Sequence, residues 1–360
     1  MVLLSLLTAC GGSDSSEDSN FKSKDATTDE TPETGGVDAI DDTASTVITS
    51  DADVNGFLLA TTVFNPRSYD FIGTEVDLIA TVKDHSNNPV ADGTVITFIA
   101  DDNGYVEDQC TTVSGSCTVK WRSARDRNQP VDPDAANDNG YENDHLITVM
   151  ARTIGEDSFI DKNANSLFDE GETYFTQSEA FLDANDDGDY DSGNTDYDEY
   201  SDFNNNGSFD GNEVFTRFRG TSCSSSARAL GHCAQKLEVW DTIRLVNSSG
   251  QPGSIRLFQG SCSAQSVTTV TTVAVGTYCL EVLDPHSNIP PVGTKINVTT
   301  DNGSIDLSPN AVANVFADLR TGYRSDVRLK GDGNSSSGTM TIKIEWLSGE
   351  EHYYYITFDD

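Results

Sequence analysis

The stretch Val82–Val106 reads VKDHSNNPVADGTVITFIADDNGYV, and a related stretch, Val282–Ile305, reads VLDPHSNIPPVGTKINVTTDNGSI about 200 residues later. Each copy runs from V-x-D through HSN, Pro and Gly-Thr to an alternating segment that ends in Asp-Asn-Gly. Pro sets one turn dihedral, and Asp-Gly or Asn-Gly admits a positive φ. The repeated layout therefore predicts two duplicated β domains whose strands are separated by defined turns.

Segments with a two-residue alternation extend this pattern in both directions. Val76, Leu78 and Ala80 alternate with polar residues, and Met340 and Ile342 do the same near the end of the chain. Such alternation predicts half-buried strands. Long helical periodicity is absent, and the chain contains 29 glycines. The fold class predicted is all-β.

The layout resembles the bacterial immunoglobulin-like repeat of the invasin/intimin type (group 1). The resemblance implies tandem β-sandwiches outside the cytoplasm that space, rigidify or adhere. Sandwich one would span 48–248 with an insertion at 153–234, and sandwich two 249–360. The second copy lacks the Asp before Gly293. The first copy carries the pattern at Val82, Asp84, Asn88, Pro89, Val90, Asp92, Gly93, Thr94 and Phe98.

Three twelve-residue windows in the insertion read DKNANSLFDEGE, DANDDGDYDSGN and DFNNNGSFDGNE. Oxygen-bearing side chains fall at positions 1, 3, 5 and 9 of each window. This spacing wraps a chain around a hard cation, with a tight turn at position 6 and a two-oxygen carboxylate at position 12. The sequence predicts Ca²⁺ as the cofactor. The predicted ligands are Asp161, Asn163, Asn165, Asp169, Glu172, Asp183, Asn185, Asp187, Asp189, Asp191, Asp202, Asn204, Asn206, Asp210 and Glu213.

The windows match the motif to different degrees. The third has Gly207 at position 6 and Glu213 at position 12. The second ends on Asn194, so its closing carboxylate would come from Asp196 or Asp198. Because Glu213 would supply two ligand oxygens, its replacement is expected to weaken the third site most.

The first window has Ser166 where glycine would spare a strained backbone. Position 8 is aromatic in every window, at Phe168, Tyr190 and Phe209. The spacers lack helical periodicity, which predicts calcium loops without the helices of a helix-loop-helix hand. A disordered acidic linker is the alternative interpretation.

The formal net charge is −37, from 59 acidic and 22 basic residues. This balance disfavours nucleic acid and anionic lipid surfaces as partners, because both attract Lys and Arg. Part of the negative charge would be offset by bound calcium.

Six of the seven cysteines fall into close pairs. Six cysteines allow 15 connectivities, and pairing of neighbours is the simplest. A zinc site is the alternative, although the spacing and the five scattered histidines do not favour it. Paired cysteines would place the chain in an oxidising compartment. The predicted disulfides are Cys110 with Cys117, Cys223 with Cys233, and Cys262 with Cys279.

Residues 1–10 resemble the end of a bacterial lipoprotein signal, with LTAC at 7–10 followed by Gly11. The resemblance implies an acylated Cys10, an outer-membrane lipid partner and a position at the cell surface or the periplasmic face. No Lys or Arg precedes the short apolar run, so Met1 need not be the true start, and a plain secretory signal stays open. The polar tract 11–47 predicts a disordered tether.

Three functions are compatible with these features. The first is a lipid-anchored, calcium-stabilised surface protein for adhesion or display, with a protein or glycan ligand and self-association both open. The second is a dockerin-like module that docks a partner through its calcium loops. The third is a secreted hydrolase with paired carboxylates, which G-x-S-x-G and paired-histidine motifs do not support. We expect a non-enzymatic protein.

Overall fold

The computed structural model describes residues 51–101, 104–124, 146–183, 188–192, 198–263, 268–269, 273–317 and 321–359. Cys10 and the 11–47 tract lie outside these residues. The described residues are 46% strand and 4% helix, which confirms the all-β prediction. None of the described helices is long and apolar enough to cross a membrane.

The first sandwich is built from two sheets that share one core. The inward face of its β3 strand is Val76, Leu78, Ala80 and Val82, each at most 2% exposed, as the alternation predicts. One sheet has the order β2-β3-β7-β5, and the other has the order β1-β8-β4-β6 with β13 also paired to β8. The strands are β1 (Ala52–Asp53), β2 (Phe57–Thr61), β3 (Glu75–Val82), β4 (Val95–Ala100), β5 (Gly104–Val106), β6 (Gln109–Thr111), β7 (Ser116–Ser123), β8 (Leu146–Glu156) and β13 (Leu237–Val246).

The insertion leaves and rejoins the first sandwich through one antiparallel ladder. Strands β8 and β13 pair continuously from Leu146↔Val246 to Gly155↔Leu237, so the chain returns to the same sheet as predicted. The ladder extends beyond the predicted start of the insertion, and the excursion is residues 157–236. Its own elements are short: β9 (Ser158–Phe159), β10 (Tyr174–Phe175), β11 (Phe181–Leu182), β12 (Glu199–Tyr200) and the helix α1 (Ser225–Ala229).

The second sandwich repeats this construction. Its sheets have the orders β15-β14-β17-β20-β19 and β16-β22-β21-β18, and side chains of both sheets form its core. Its last two strands, β21 and β22, are joined by the turn 346–350, where the first sandwich carries the whole insertion. The strands are β14 (Ser254–Gln259), β15 (Thr268–Thr269), β16 (Val273–Ala274), β17 (Gly276–Leu283), β18 (Lys295–Thr300), β19 (Ser304–Ser308), β20 (Tyr323–Lys330), β21 (Ser337–Glu345) and β22 (Glu351–Asp359).

Candidate functional site

The base of the insertion is fixed by two fully buried carboxylates at the end of β8. Glu156 accepts hydrogen bonds from the N–H groups of Thr221 (3.1 Å) and Ser222 (3.0 Å). Asp157 accepts one from the Arg219 N–H (2.7 Å) and pairs with its guanidinium (3.3 Å). These contacts join the first and last segments of the insertion, and both acids were missed by the sequence analysis because they lie outside the windows.

The first loop, residues 161–172, gathers its side chains around one point. The Nδ2 groups of Asn163 and Asn165 both donate to Oδ2 of Asp169, at 2.8 Å each. Oδ2 of Asp161 accepts from the Ser166 N–H at 2.7 Å. Positions 3, 5 and 9 of the motif therefore converge, as a cation-binding loop requires.

Glu172 closes this loop by accepting hydrogen bonds from two of its backbone N–H groups. Oε1 accepts from the N–H of Lys162, at position 2, at 2.8 Å. Oε2 accepts from the N–H of Asp169, at position 9, at 2.9 Å. The position 12 carboxylate thus lies against the rest of the loop.

The third loop, residues 202–213, has the same internal arrangement. Asn204 and Asn206 donate from Nδ2 to Oδ2 of Asp210 at 2.6 and 2.7 Å. The Gly207 N–H donates to Oδ2 of Asp202 at 2.8 Å. Four of its five predicted ligands are therefore brought together.

The two loops also share their backbone conformation. Position 4 has a positive φ in both, 59° at Ala164 and 57° at Asn205. Position 6 does too, at 61° for Ser166 and 79° for Gly207. Since only glycine adopts this region without cost, the expected strain at Ser166 is present.

The fifth predicted ligand of the third loop, Glu213, is placed differently. It lies on a 3₁₀ turn, exposed, with its carboxylate folded back beside Gly211. Among the described residues it accepts no hydrogen bond from the loop. Glu179 occupies the equivalent place instead, since it accepts from the N–H groups of Phe203 at 3.0 Å and Asp210 at 3.1 Å. The sequence analysis missed Glu179 because it lies outside every window.

The second loop is described in part, and its Asn185 and Asp187 lie outside the described residues. The Gly188 N–H donates to Asp183 at 3.0 Å, which matches positions 6 and 1 of the other loops. The Asp191 N–H donates at 3.0 Å to Asp198, a residue 4% exposed. Asp198 is one of the two closing residues that the sequence proposed for this window.

The aromatic residues at position 8 pack in two separate clusters, one at the first loop and one shared by the second and third loops. Phe168 stacks on Phe218 at 4.6 Å in the cluster of the first loop. Tyr190 and Phe209 stack on each other at 4.0 Å, and Phe181 joins both to Trp240 of β13. The predicted periodic aromatics thus form small cores beneath the loops.

Strand pairs, rather than helices, support the described loop segments. Strand β9 pairs with β10 around the first loop, and β11 pairs with β12 beside the second and third. The one α-helix of the described residues, α1, follows the third window. The predicted lack of flanking helices agrees with this arrangement.

Local hydrogen bonds favour the charged form of two carboxyl groups in the first loop. The Ser166 N–H holds the pKa of Asp161 below its usual value. The Ser224 hydroxyl, with Asn163 and Asn165, lowers the pKa of Asp169. Burial raises the pKa of Glu179 despite its N–H donors.

Among the described residues, no three His, Cys, Asp or Glu side chains lie together as a metal centre. In each loop, two of the five motif positions are asparagines, so carboxamide oxygens would have to complete the donor set. The Asn amides present nitrogen to Asp169 and Asp210, and the carboxamide must turn over for its oxygen to face a cation. The donor set therefore fits a hard oxygen-preferring ion better than zinc.

The six cysteines of the described residues form three disulfides, Cys110–Cys117, Cys223–Cys233 and Cys262–Cys279. These are the neighbouring pairs that the spacing indicates. Cys223–Cys233 closes the exit of the insertion, and Cys223 packs with Phe168 in the cluster of the first loop.

No protein-family model matches the chain, and no curated protein matches it. Solved structures that align with it include the D0-D1 domain of intimin (11% identity, 84% of this chain and 98% of that chain, TM-score 0.24). The Yersinia pseudotuberculosis adhesin InvE aligns at 10% identity over 86% of this chain and 60% of its own, with a TM-score of 0.24. The YadV chaperone aligns at 9% identity over 83% and 98%, also at 0.24. Similarity at these TM-scores carries no argument about family or function.

Proposed function

We propose that the chain is a lipid-anchored cell-surface protein of adhesion or display, in which calcium fixes the shape of the insertion on a β-sandwich scaffold. The convergence of positions 3, 5 and 9 in the first and third loops carries the calcium part of this proposal. The anchoring part comes from the sequence around Cys10.

Calcium would be held by carboxylate and carboxamide oxygens. In the first loop the holders are Asp161, Asn163, Asn165, Asp169 and Glu172. The bound ion supplies positive charge where clustered carboxylates repel one another at short range. Binding to the folded form alone then stabilises the insertion by mass action.

The alternatives receive less support from the same geometry. A dockerin-like module would present helices at its loops, whereas strand pairs lie there. A hydrolase would need carboxylates outside ligand positions, and the loop carboxylates are accounted for by the cation motif. The buried Glu156 and Asp157 are accounted for by the backbone that they hold.

The test is calcium stoichiometry of the folded full chain by native mass spectrometry, with limited proteolysis in calcium and in chelator. We expect at least two ions per chain, and chelator should expose 157–236 to protease while both sandwiches resist. Asp202→Asn should reduce the bound calcium, and the matched control Glu350→Gln, in an exposed turn of the second sandwich, should not. A chain that binds no calcium at millimolar concentrations, or unchanged cleavage in chelator, would refute the calcium proposal.

Anchoring is tested separately in cells. Wild type should partition into detergent with an acylated N-terminal peptide, and Cys10→Ser should be released into the soluble fraction. A wild-type chain found in the soluble fraction would reject the anchor without affecting the calcium sites.

A further inference from the structure

We infer that Glu179, which precedes the second window, is the carboxylate that closes the calcium site of the third loop, in place of Glu213. This inference rests on the proposed calcium binding and names a ligand that the twelve-residue motif does not contain.

The first loop supplies the reference geometry within the same molecule. Its closing residue, Glu172, receives the backbone N–H groups of positions 2 and 9, at 2.8 and 2.9 Å. These two bonds place the carboxylate between positions 2 and 9 of the loop backbone.

Glu179 makes the same two contacts on the third loop. Its Oε1 receives the N–H of Phe203, at position 2, and its Oε2 receives the N–H of Asp210, at position 9, at 3.0 and 3.1 Å. With one oxygen toward each end of the loop, the carboxylate is set for two-oxygen coordination, as at position 12 of a calcium loop.

The backbone holds Glu179 in this place. Its N–H donates to the carbonyl of Asp210 at 3.0 Å, and the Ser201 N–H donates to the carbonyl of Ala180 at 2.8 Å. The pairing of β11 with β12 follows directly. The segment before the second loop is therefore fastened to the third loop on both sides of the carboxylate.

Burial and charge distinguish the two glutamates. Glu179 is 5% exposed, whereas Glu213 is exposed. Among the described residues, Glu179 forms no direct ion pair with a Lys or Arg, and Arg219 interacts with it only at longer range. A buried carboxylate is costly unless hydrogen bonds and an opposite charge compensate it. Three N–H groups supply part of this compensation, and a divalent ion in the third loop supplies the charge.

The experiment compares Glu179→Gln with Glu213→Gln in the full chain, by native mass spectrometry and calcium titration. Glu179→Gln should lose one ion, or bind it at least tenfold more weakly, while Glu213→Gln keeps the wild-type stoichiometry and affinity. Loss of the ion in Glu213→Gln with retention in Glu179→Gln would overturn the inference and leave the proposed calcium function intact. A wild type without calcium would instead refute the proposed function.

Two controls address whether Glu179→Gln still folds: calcium binding by the first loop, and the variant Glu213→Gln. The Glu179→Gln variant should keep the ion assigned to the first loop, and this ion should be lost when Glu172→Gln is added. That result would show that the insertion is still folded in Glu179→Gln. If Glu179→Gln unfolds, Glu213→Gln decides alone, because an exposed residue can be changed without disturbing the fold. Full calcium binding in that variant supports the inference, and loss of one ion overturns it.

Discussion

At the scale of single residues, the first and third loops share a backbone conformation at position 6 but differ in what it costs. Ser166 and Gly207 share position 6 and a positive φ, but only Ser166 carries a Cβ. A Cβ at Gly207 would meet nothing within 4 Å, so the difference between the two loops is conformational and not steric. An L residue in this region costs about 1–2 kcal/mol.

Ser166→Gly should therefore stabilise the insertion by about 1 kcal/mol, and Gly207→Ala should destabilise it by about the same amount. The measurement is the free energy of unfolding by denaturant, in the presence of calcium, for the two variants and the wild type. Two changes of the same sign would contradict the conformational explanation.

Protonation of His85 makes the stability of the base of the insertion depend on pH. Its ring packs on Phe159 at 4.9 Å, and its Nδ1 lies 3.4 Å from Oε1 of Glu156. Glu156 raises the pKa of His85, as do Asp84 and Asp53. The folded-state pKa thus lies above the ordinary value of about 6.5.

Because this histidine pKa is raised, its contribution to stability is fully present below about pH 6.5 and is lost as the pH rises through the folded-state value. His85→Gln should remove this part of the pH dependence, measured as unfolding free energy between about pH 5.5 and 8.5. Burial lowers the pKa of His286, so its contribution has the opposite sign and stays in the variant. Identical pH profiles of variant and wild type would exclude the role of His85.

At the scale of elements, the insertion is held by covalent and aromatic contacts more than by regular secondary structure. The Cys223–Cys233 disulfide closes a span of 10 residues that includes α1. The N–H of Phe168 donates to the carbonyl of Ser222, so the disulfide also supports the first loop.

Replacing both Cys223 and Cys233 by Ser should cost about 2–3 kcal/mol in the stability of the insertion, from the entropy of loop closure. Proteolysis should then begin within 157–236 while the sandwiches resist. The control is Cys110→Ser with Cys117→Ser, which should leave the protease sensitivity of 157–236 unchanged. Equal effects of the two pairs on the insertion would contradict this assignment.

At the scale of the whole molecule, the insertion and the second sandwich contact different parts of the first sandwich. The second sandwich meets it through Asn65, which is fully buried and donates from Nδ2 to the carbonyls of Pro290 (2.9 Å) and Ala313 (3.2 Å). The side chain of Asn314 makes two hydrogen bonds to the first sandwich: its Oδ1 accepts from the Phe64 N–H, and its Nδ2 donates to the Thr62 carbonyl. The reciprocal amides favour one fixed arrangement of the two sandwiches.

Asn65→Ala should cost about 1–3 kcal/mol, because it leaves the buried Pro290 carbonyl without its donor. It should also broaden the distance distribution between spin labels placed on the two sandwiches. Asn297→Ala, on the exposed face of β18, is the matched control. An unchanged distance distribution in Asn65→Ala would show that other contacts fix the joint.

The sequence by itself determined the strands, the turns and the positions of the loops, and it favoured the neighbouring disulfides, because each depends on local spacing. Alternation every second residue identified the buried face of β3, and the twelve-residue windows located Asp161 and Asp202, the first residues of the first and third loops. Only the tertiary structure decided which carboxylate faces the third loop, how far the ladder of β8 and β13 continues, to Gly155, and which carboxylate lies beside His85. These contacts join residues far apart in the chain, and burial in three dimensions, not local spacing, selects them.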